Sequence, residues 1–259
     1  MFLNILNIEH VSYFYLFVSS FVFSYVLAIL TYTHLYKYKD GLQKNKIQKT
    51  YPGHKEIVHE IKWSISSMVI WVGVAYILIY LINSGNTKIY FSLKEHSILY
   101  FFFTIVFFAI LHDTYFYWCH RFMHSHKLIF KKTHAIHHAS KNPTTLSIFS
   151  FSPYEAIILG FYFILMCLFI PVHIYAVIAV FMINSVANII GHSGYEFFSK
   201  KFNTKIQPIF IDSIHHNLHH KYGYLNYGIY FPFWDKIMNT FHHKYEEDKN
   251  IFYTEKNAK

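Results

Sequence analysis

Cysteine is nearly missing from this sequence. The only two, Cys119 and Cys167, lie inside apolar runs. That excludes a disulfide framework and argues against a cysteine-built zinc site or an iron–sulfur cluster. Charge is also scarce: Asp, Glu, Lys and Arg make up 14% of residues, about half the share of a soluble domain. Arginine occurs once, as Arg121, against 22 lysines. There is no glycine-rich dinucleotide motif and no CxxCH haem attachment. The zinc-hydrolase pattern HExxH is absent too, since "HEIKW" at 59–63 lacks its second histidine. No repeat and no Gly/Ser- or Pro-rich linker divides the chain, so residues 1–259 read as one domain.

What is present is grease. Apolar residues reach 54% and aromatics 21%, a composition solvated partly by lipid. The formal charge of +9 sits in lysine clusters beside hydrophobic runs. That pattern fits anionic headgroups and the positive-inside rule, and no nucleic-acid partner is expected. "MFLNILNIEHVSYFY" has no basic start and no small-residue cleavage site, so it does not read as a signal peptide. No KDEL-type retrieval signal follows at the other end.

Stretches long enough to cross a bilayer, about 20 residues each, fall at 11–36, 63–83 and 97–119. A longer one at 153–191 is interrupted by "IPVH", and Pro171 divides it into a hairpin of 153–170 and 173–191. The expected fold is all-α: a polytopic bundle of three spans plus a helical hairpin. Residues 37–62 carry seven lysines against three acids and should be cytoplasmic. Alternation then delivers 120–150 and 192–245 to the same face, as a histidine-rich cap. A bacterial inner membrane and an endoplasmic reticulum membrane both fit.

The chain has 20 histidines, and the cap concentrates them. "HDTYFYWCHRFMH" holds His120 and His124 at i, i+4, one face of a helix continuing from the third span. "HAIHH" holds His134, His137 and His138 at i, i+3, i+4, and "HHNLHH" repeats the spacing in His216, His219 and His220. His192 ends the last span. Nine imidazoles exceed the three or four that one ion takes, and so call for two metals. Imidazole suits iron, zinc, copper and nickel alike. His112, two turns before His120 and rotated about 80° from it, is either a further ligand or a packed core residue. His215 is a ligand or an outer donor. Asp113, Glu155, Glu196 and Asp212 are candidate acceptors for the outer N–H of ligating rings. Arg121, inside the first box, belongs to a built site or is an exposed accident. His10, His34, His54, His59, His96, His126 and His173 read as structural or exposed, and His242/His243 as a solvated pair.

Together "HDTYFYWCHRFMH", "THAIHHAS", "GHSGYE", "HHNLHH" and "NYGIYFPFWDKIMNTF" resemble the fatty acid hydroxylase/sterol desaturase superfamily, over about Glu60 to Phe241. The family's boxes fall on His120/His124, His134/His137/His138 and His216/His219/His220, and its His-Ser-Gly-Tyr segment on His192. Asn226, Tyr227, Gly228, Trp234 and Asp235 match its trailing motif, in a structural role. The resemblance implies two iron ions, O2 as co-substrate and a lipid substrate, with zinc a possible occupant on purification. It implies hydroxylation, or desaturation, of an unactivated C–H bond of a sterol, sphingolipid, fatty acyl or alkylglycerol chain. Electrons would come from an external donor, cytochrome b5 or a ferredoxin with its reductase. The competing reading is a zinc- or copper-binding membrane protein, such as a transporter, without oxygenase activity. Such a protein would want polar or charged residues in its spans, and the first two spans show only Ser, Thr, Tyr and two terminal residues, His34 and Asn83.

Overall fold

Five apolar helices carry the architecture in the computed structural model, which describes the backbone of residues 8–257 and the side chains of 11–257. In chain order the helices are α1 (Ile8–Lys37), α2 (Lys39–Leu42), α3 (His54–Asn83), α4 (Ile98–His124), α5 (Lys127–Thr133) and α6 (Pro153–Phe169). They continue as α7 (Ile174–His192), α8 (Lys200–Ile206), α9 (Ser213–Tyr222), α10 (Phe233–Ile237) and α11 (Tyr245–Asn257). Helices α1, α3, α4 and α7 are long and apolar enough to cross a membrane, and α6 is a shorter apolar helix of 17 residues. The outward faces are apolar, as in Val22, Phe23, Val69, Phe102, Val106 and Phe161. The chain is an all-α polytopic membrane protein.

Helix ends follow capping chemistry rather than the limits of the apolar runs. Helix α3 starts at His54, nine residues before its apolar run, because the Gly53 N–H donates to Glu56 Oε2 (2.7 Å) and starts the helix outside the greasy segment. Ser152 Oγ accepts from Glu155 N (3.2 Å) with Pro153 in the first turn, which starts α6. Pro171 separates α6 from α7 as expected. Val172–His173 (β2) then pairs in parallel with Ile89–Tyr90 (β1), and Tyr100 Oη donates to Pro171 O (2.8 Å), tying that end of the bundle together.

The core lies between α1, α3, α6 and α7. Trp71 donates through Nε1 to Ala156 O (2.8 Å) and meets α6 at Gly160, where a Cβ would stand 3.1 Å from the indole. Residues 142–152 form an irregular segment threaded into this core, almost wholly buried. Irregular backbone is tolerated there only if protein satisfies it. Ser64 Oγ donates to Leu146 O (2.7 Å), Ser67 Oγ to Phe151 O (3.3 Å), and Glu60 accepts from both N and Oγ1 of Thr144.

The second histidine box does not form the α-helix that its i, i+3, i+4 spacing suggests: α5 ends at Thr133, His134 to Ile136 form a turn, and His137–Ala139 make one turn of 3-10 helix. The lysine-rich segment after α2 lies at the histidine end of the bundle, where Ile47 N donates to Gly194 O (2.9 Å) and Gln48 Nε2 to Asn217 Oδ1 (3.0 Å).

Candidate metal centre

Helices α4, α7 and α9 and the turn after α5 bring nine histidines into two adjoining groups. His120, His124, His134, His138 and His219 form one; His137, His192, His216 and His220 form the other. Within each group one nitrogen per ring lies within 4.8 Å of every other. Both HxxHH boxes are divided by the same rule. The i, i+4 pair stays together, His134/His138 in the first group and His216/His220 in the second, while the i+3 residue, His137 or His219, crosses to the other group. At about 100° per residue an i+3 ring points well away from i+4, so α9 serves both groups. The groups share a wall, with ring centroids 5.1 Å apart for His134–His137 and 4.9 Å for His138–His220. Gly191 permits the approach of His216, whose Cδ2 would lie 3.3 Å from a Cβ added there.

Outer hydrogen bonds fix the tautomers. Backbone carbonyls accept from Nδ1 of His120 (Tyr227 O, 2.9 Å), His192 (Asn188 O, 2.9 Å), His219 (Leu225 O, 2.6 Å), His220 (Ser140 O, 2.9 Å) and His137 (Ser150 O, 3.3 Å). Glu155 Oε1 accepts from His134 Nδ1 at 2.6 Å. Carbonyls and carboxylates cannot donate, so these rings carry Nδ1–H and turn a bare Nε2 lone pair inward. Those lone pairs converge: Nε2 atoms approach at 2.9 Å for His120–His134 in one group and 3.3 Å for His137–His192 in the other. Acceptor facing acceptor is unfavourable unless a cation lies between. Two nitrogens each about 2.1 Å from one ion stand about 3.0–3.4 Å apart, so the residues present fit a metal in each group. His124 Nε2, buried with no partner, fits the same reading.

Electrostatics also favour neutral ligands. Burial holds His134, His137, His138, His216 and His220 well below the ordinary imidazole value, and neighbouring rings push the same way. His219 is lowered to about 4 by burial, with Leu225 O and Asp235 opposing. Neutral imidazole is the form a metal needs.

A family model described as fatty acid hydroxylase matches residues 105–240, more than half of the chain and all nine of these histidines. The chain belongs to the fatty acid hydroxylase family. It is 26% identical to lathosterol oxidase of Homo sapiens over 189 residues, 72% of this chain and 61% of that protein. It is 35% identical to methylsterol monooxygenase erg25A of Aspergillus fumigatus over 142 residues, 52% of this chain and 46% of the relative. Delta(7)-sterol 5(6)-desaturase erg31 of Schizosaccharomyces pombe is 27% identical over 157 residues, 61% of this chain and 50% of that one. The matches thus span about half to three-fifths of these curated relatives' lengths. No solved structure matches significantly.

Within this family member, His112 and His215 lie outside both groups. His112 packs against Tyr162 and Tyr230 in the bundle, and its Nδ1 is 2.9 Å from Tyr230 Oη. His215 lies 3.5 Å from Asp235 Oδ2. Of the four acids expected behind the ligands, only Glu155 meets a clustered ring. Asp113 accepts from Tyr230 N and Phe231 N, Glu196 from Phe198 N, and Asp212 caps α9 through His215 N. Sequence reasoning missed the outer acceptors because nearly all are backbone carbonyls, which have no residue signature. Asp235 acts one step further out and has a readable signal, the trailing motif. It accepts from Tyr227 N, Gly228 N and Thr240 Oγ1, and so fixes the loop whose carbonyls reach His120 and His219. That loop holds Leu225 at φ 64° and Asn226 at φ 57°, a strained left-handed turn for leucine, costing about 1–3 kcal/mol. Arg121 donates to Tyr117 Oη (3.3 Å) and lies over Trp118. His242 corrects the expectation of a solvated pair: it is buried and stacks on Tyr222, while His243 is exposed. His34, His54, His96 and His126 are exposed. His59 is half-buried with Nε2 on Ile136 O, and His173 is buried and caps α7. His10's side chain lies outside the described residues.

Proposed function

We propose that this protein is an O2-dependent di-iron oxidoreductase that hydroxylates or desaturates an unactivated C–H bond of a membrane lipid, with a sterol-like molecule the first substrate to test. One observation carries the proposal: two adjoining all-histidine groups turn bare nitrogens on one another immediately above an apolar cavity. His137 packs on Phe151 and His120 on Phe116, and both phenylalanines line that cavity. The sterol class is supported by the printed activities of the relatives: lathosterol oxidation, methylsterol monooxygenation and sterol desaturation.

Two iron ions, held by His120, His124, His134, His138 and His219 on one side and His137, His192, His216 and His220 on the other, would supply O2 activation and hydrogen removal from carbon. The protein's own work is positioning. Backbone carbonyls and Glu155 hold each ring by Nδ1 and keep it neutral. Burial excludes bulk water, and the aromatic wall beneath presents an apolar chain rather than a solvated group to the centre. The histidines bind metal and do not shuttle protons. Electrons come from a separate donor, cytochrome b5 or a ferredoxin with its reductase. The lysine-rich segment at the histidine end supports a cytoplasmic site.

Expression in sterol-containing membranes with lipid mass spectrometry tests this reading. Wild-type protein should generate a lipid that has gained one oxygen atom or lost two hydrogens, and a His137→Ala/His219→Ala variant should not. Identical lipid profiles in well-expressed wild type and variant, with a reductant system supplied, would count against it.

A further inference from the structure

Two cavities flank the same stretch of α7. An inner chamber of about 50 Å³ is walled mainly by aromatic and aliphatic side chains, Phe21, Trp71 and Phe181 among them. A lateral cleft of about 560 Å³ lies between α4, α7 and the cap. Its rim residues Ile183, Val186 and Phe210 are exposed on the apolar outer surface, so the cleft faces the lipid. Asn188 lines both cavities. Neither lining includes a lysine or an arginine. The one carboxylate, Asp212, is already taken up by His215 N, Asn203 Nδ2 and Tyr245 Oη.

Around Asn188, the residue common to both linings, one corner is polar, with His112 and Asn184 on the inner chamber and Tyr230 on the cleft. Tyr230 Oη donates to Asn184 Oδ1 (3.3 Å) and lies 2.9 Å from His112 Nδ1. With its proton directed to Asn184, Tyr230 accepts from His112 Nδ1–H, which leaves His112 Nε2 as a bare acceptor. Asn188 Nδ2 donates to Asn184 O and Oδ1 (2.9 and 3.0 Å). Among the described residues no partner is found for His112 Nε2, Asn184 Nδ2 or Asn188 Oδ1. One donor and two acceptors therefore face an otherwise apolar space, although polar groups within a membrane protein's interior are costly and mark sites. A hydroxyl is their complement: it accepts from Asn184 and donates to His112 or Asn188. A carbonyl would answer only the donor. A carboxylate, sulfate or phosphate would find no cation.

We propose that this corner, formed by His112, Asn184, Asn188 and Tyr230, receives the hydroxyl of a neutral membrane lipid whose apolar body lies in the lateral cleft. This deepens the proposed function and rests on its reading that the bound molecule is a lipid. Asn188 O also accepts from His192 Nδ1 (2.9 Å), so the hydroxyl site sits one helical turn from a clustered histidine. The four residues recognise and position; none touches the reacting carbon.

Binding to detergent-purified full-length protein tests this without turnover. Two series that vary only in the polar group serve as probes: cholesterol, cholestane and cholesteryl sulfate, and 1-octadecanol, octadecane and octadecyl sulfate. In whichever series binds, the alcohol should bind about tenfold more tightly than either analogue, the worth of one or two hydrogen bonds. Asn184→Leu and His112→Phe should each reduce that preference to under about threefold while leaving hydrocarbon binding intact. Hydrocarbon binding also reports that each variant is folded, and Tyr230→Phe replaces either one that is not. Equal affinities within a series, tightest binding of a sulfate, no saturable binding of either alcohol, or an undiminished preference in the folded variants would overturn the proposal. A protein that prefers alcohols but holds no iron would defeat the oxygenase reading and leave this one standing. An iron-loaded, active protein without the preference would do the reverse.

Discussion

Glu155 shows what one side chain can decide. Among the described residues it is the single carboxylate in contact with a clustered imidazole, buried against His134 Nδ1 at 2.6 Å, while the other outer partners are neutral carbonyls. A carboxylate raises the basicity of the ring it holds more than a carbonyl does. Glu155→Ala leaves a buried N–H unpaired and should weaken metal retention by about 10–100-fold. Glu155→Gln keeps an acceptor oxygen and should fall between the variant and wild type. Chelator competition on the purified proteins measures both, and wild-type retention in Glu155→Ala would contradict the assigned role. The pairing was legible as a class, a carboxylate behind histidines, but not as a residue. Asp113, Glu196 and Asp212 were equally eligible on paper, and the fold spends all three on backbone N–H groups.

At the scale of elements, α9 is the shared part. It carries His216 and His220 into one group and His219 into the other, between an Asp212 cap and the left-handed Gly223. Asp212 does more than cap: its Oδ2 accepts from Asn203 Nδ2 (2.6 Å) and from Tyr245 Oη, which anchors α9 to α8 and α11. Asp212→Ala should cost at least about 2 kcal/mol, one cap plus buried hydrogen bonds. Asp212→Asn keeps a good cap but points an amide N–H₂ at two donors, so it should also be destabilised. Thermal unfolding of both variants decides the matter; wild-type stability in Asp212→Asn would reduce the residue to a cap. Spacing and flanking residues made α4, α9 and the hairpin around Pro171 readable. The turn after Thr133 and the buried segment at 142–152 were not, because they depend on long-range partners such as Ser64, Ser67 and Glu60. The i+3 crossing of both boxes was hidden for the same reason. It requires knowing which helices face each other.

For the whole molecule, a cluster of buried neutral imidazoles sets the pH dependence. His134, His137, His138, His216, His219 and His220 have folded values depressed below their ordinary 6.5. Below about pH 6.5 the unfolded chain therefore binds protons that the folded chain refuses. Their contribution to stability is full above that pH and drains as pH falls. Glu196, raised to about 7 by burial beside Asp212, and Glu60, raised to about 7 by burial, work in the opposite sense, but the six imidazoles outnumber them. The melting temperature of metal-free protein should drop steeply from pH 6.5 downward, and a flat profile would show that the histidines are not held neutral.

Two metal ions held by the nine histidines would show first in the metal content of the protein. Protein purified in detergent from iron-supplemented cells should contain about two iron ions per chain by inductively coupled plasma mass spectrometry, one for each group of ligands. The His137→Ala/His219→Ala variant, which removes one ligand from each group, should lose most of that metal. Protein that folds and binds no metal, or keeps it unchanged in the variant, would contradict the account.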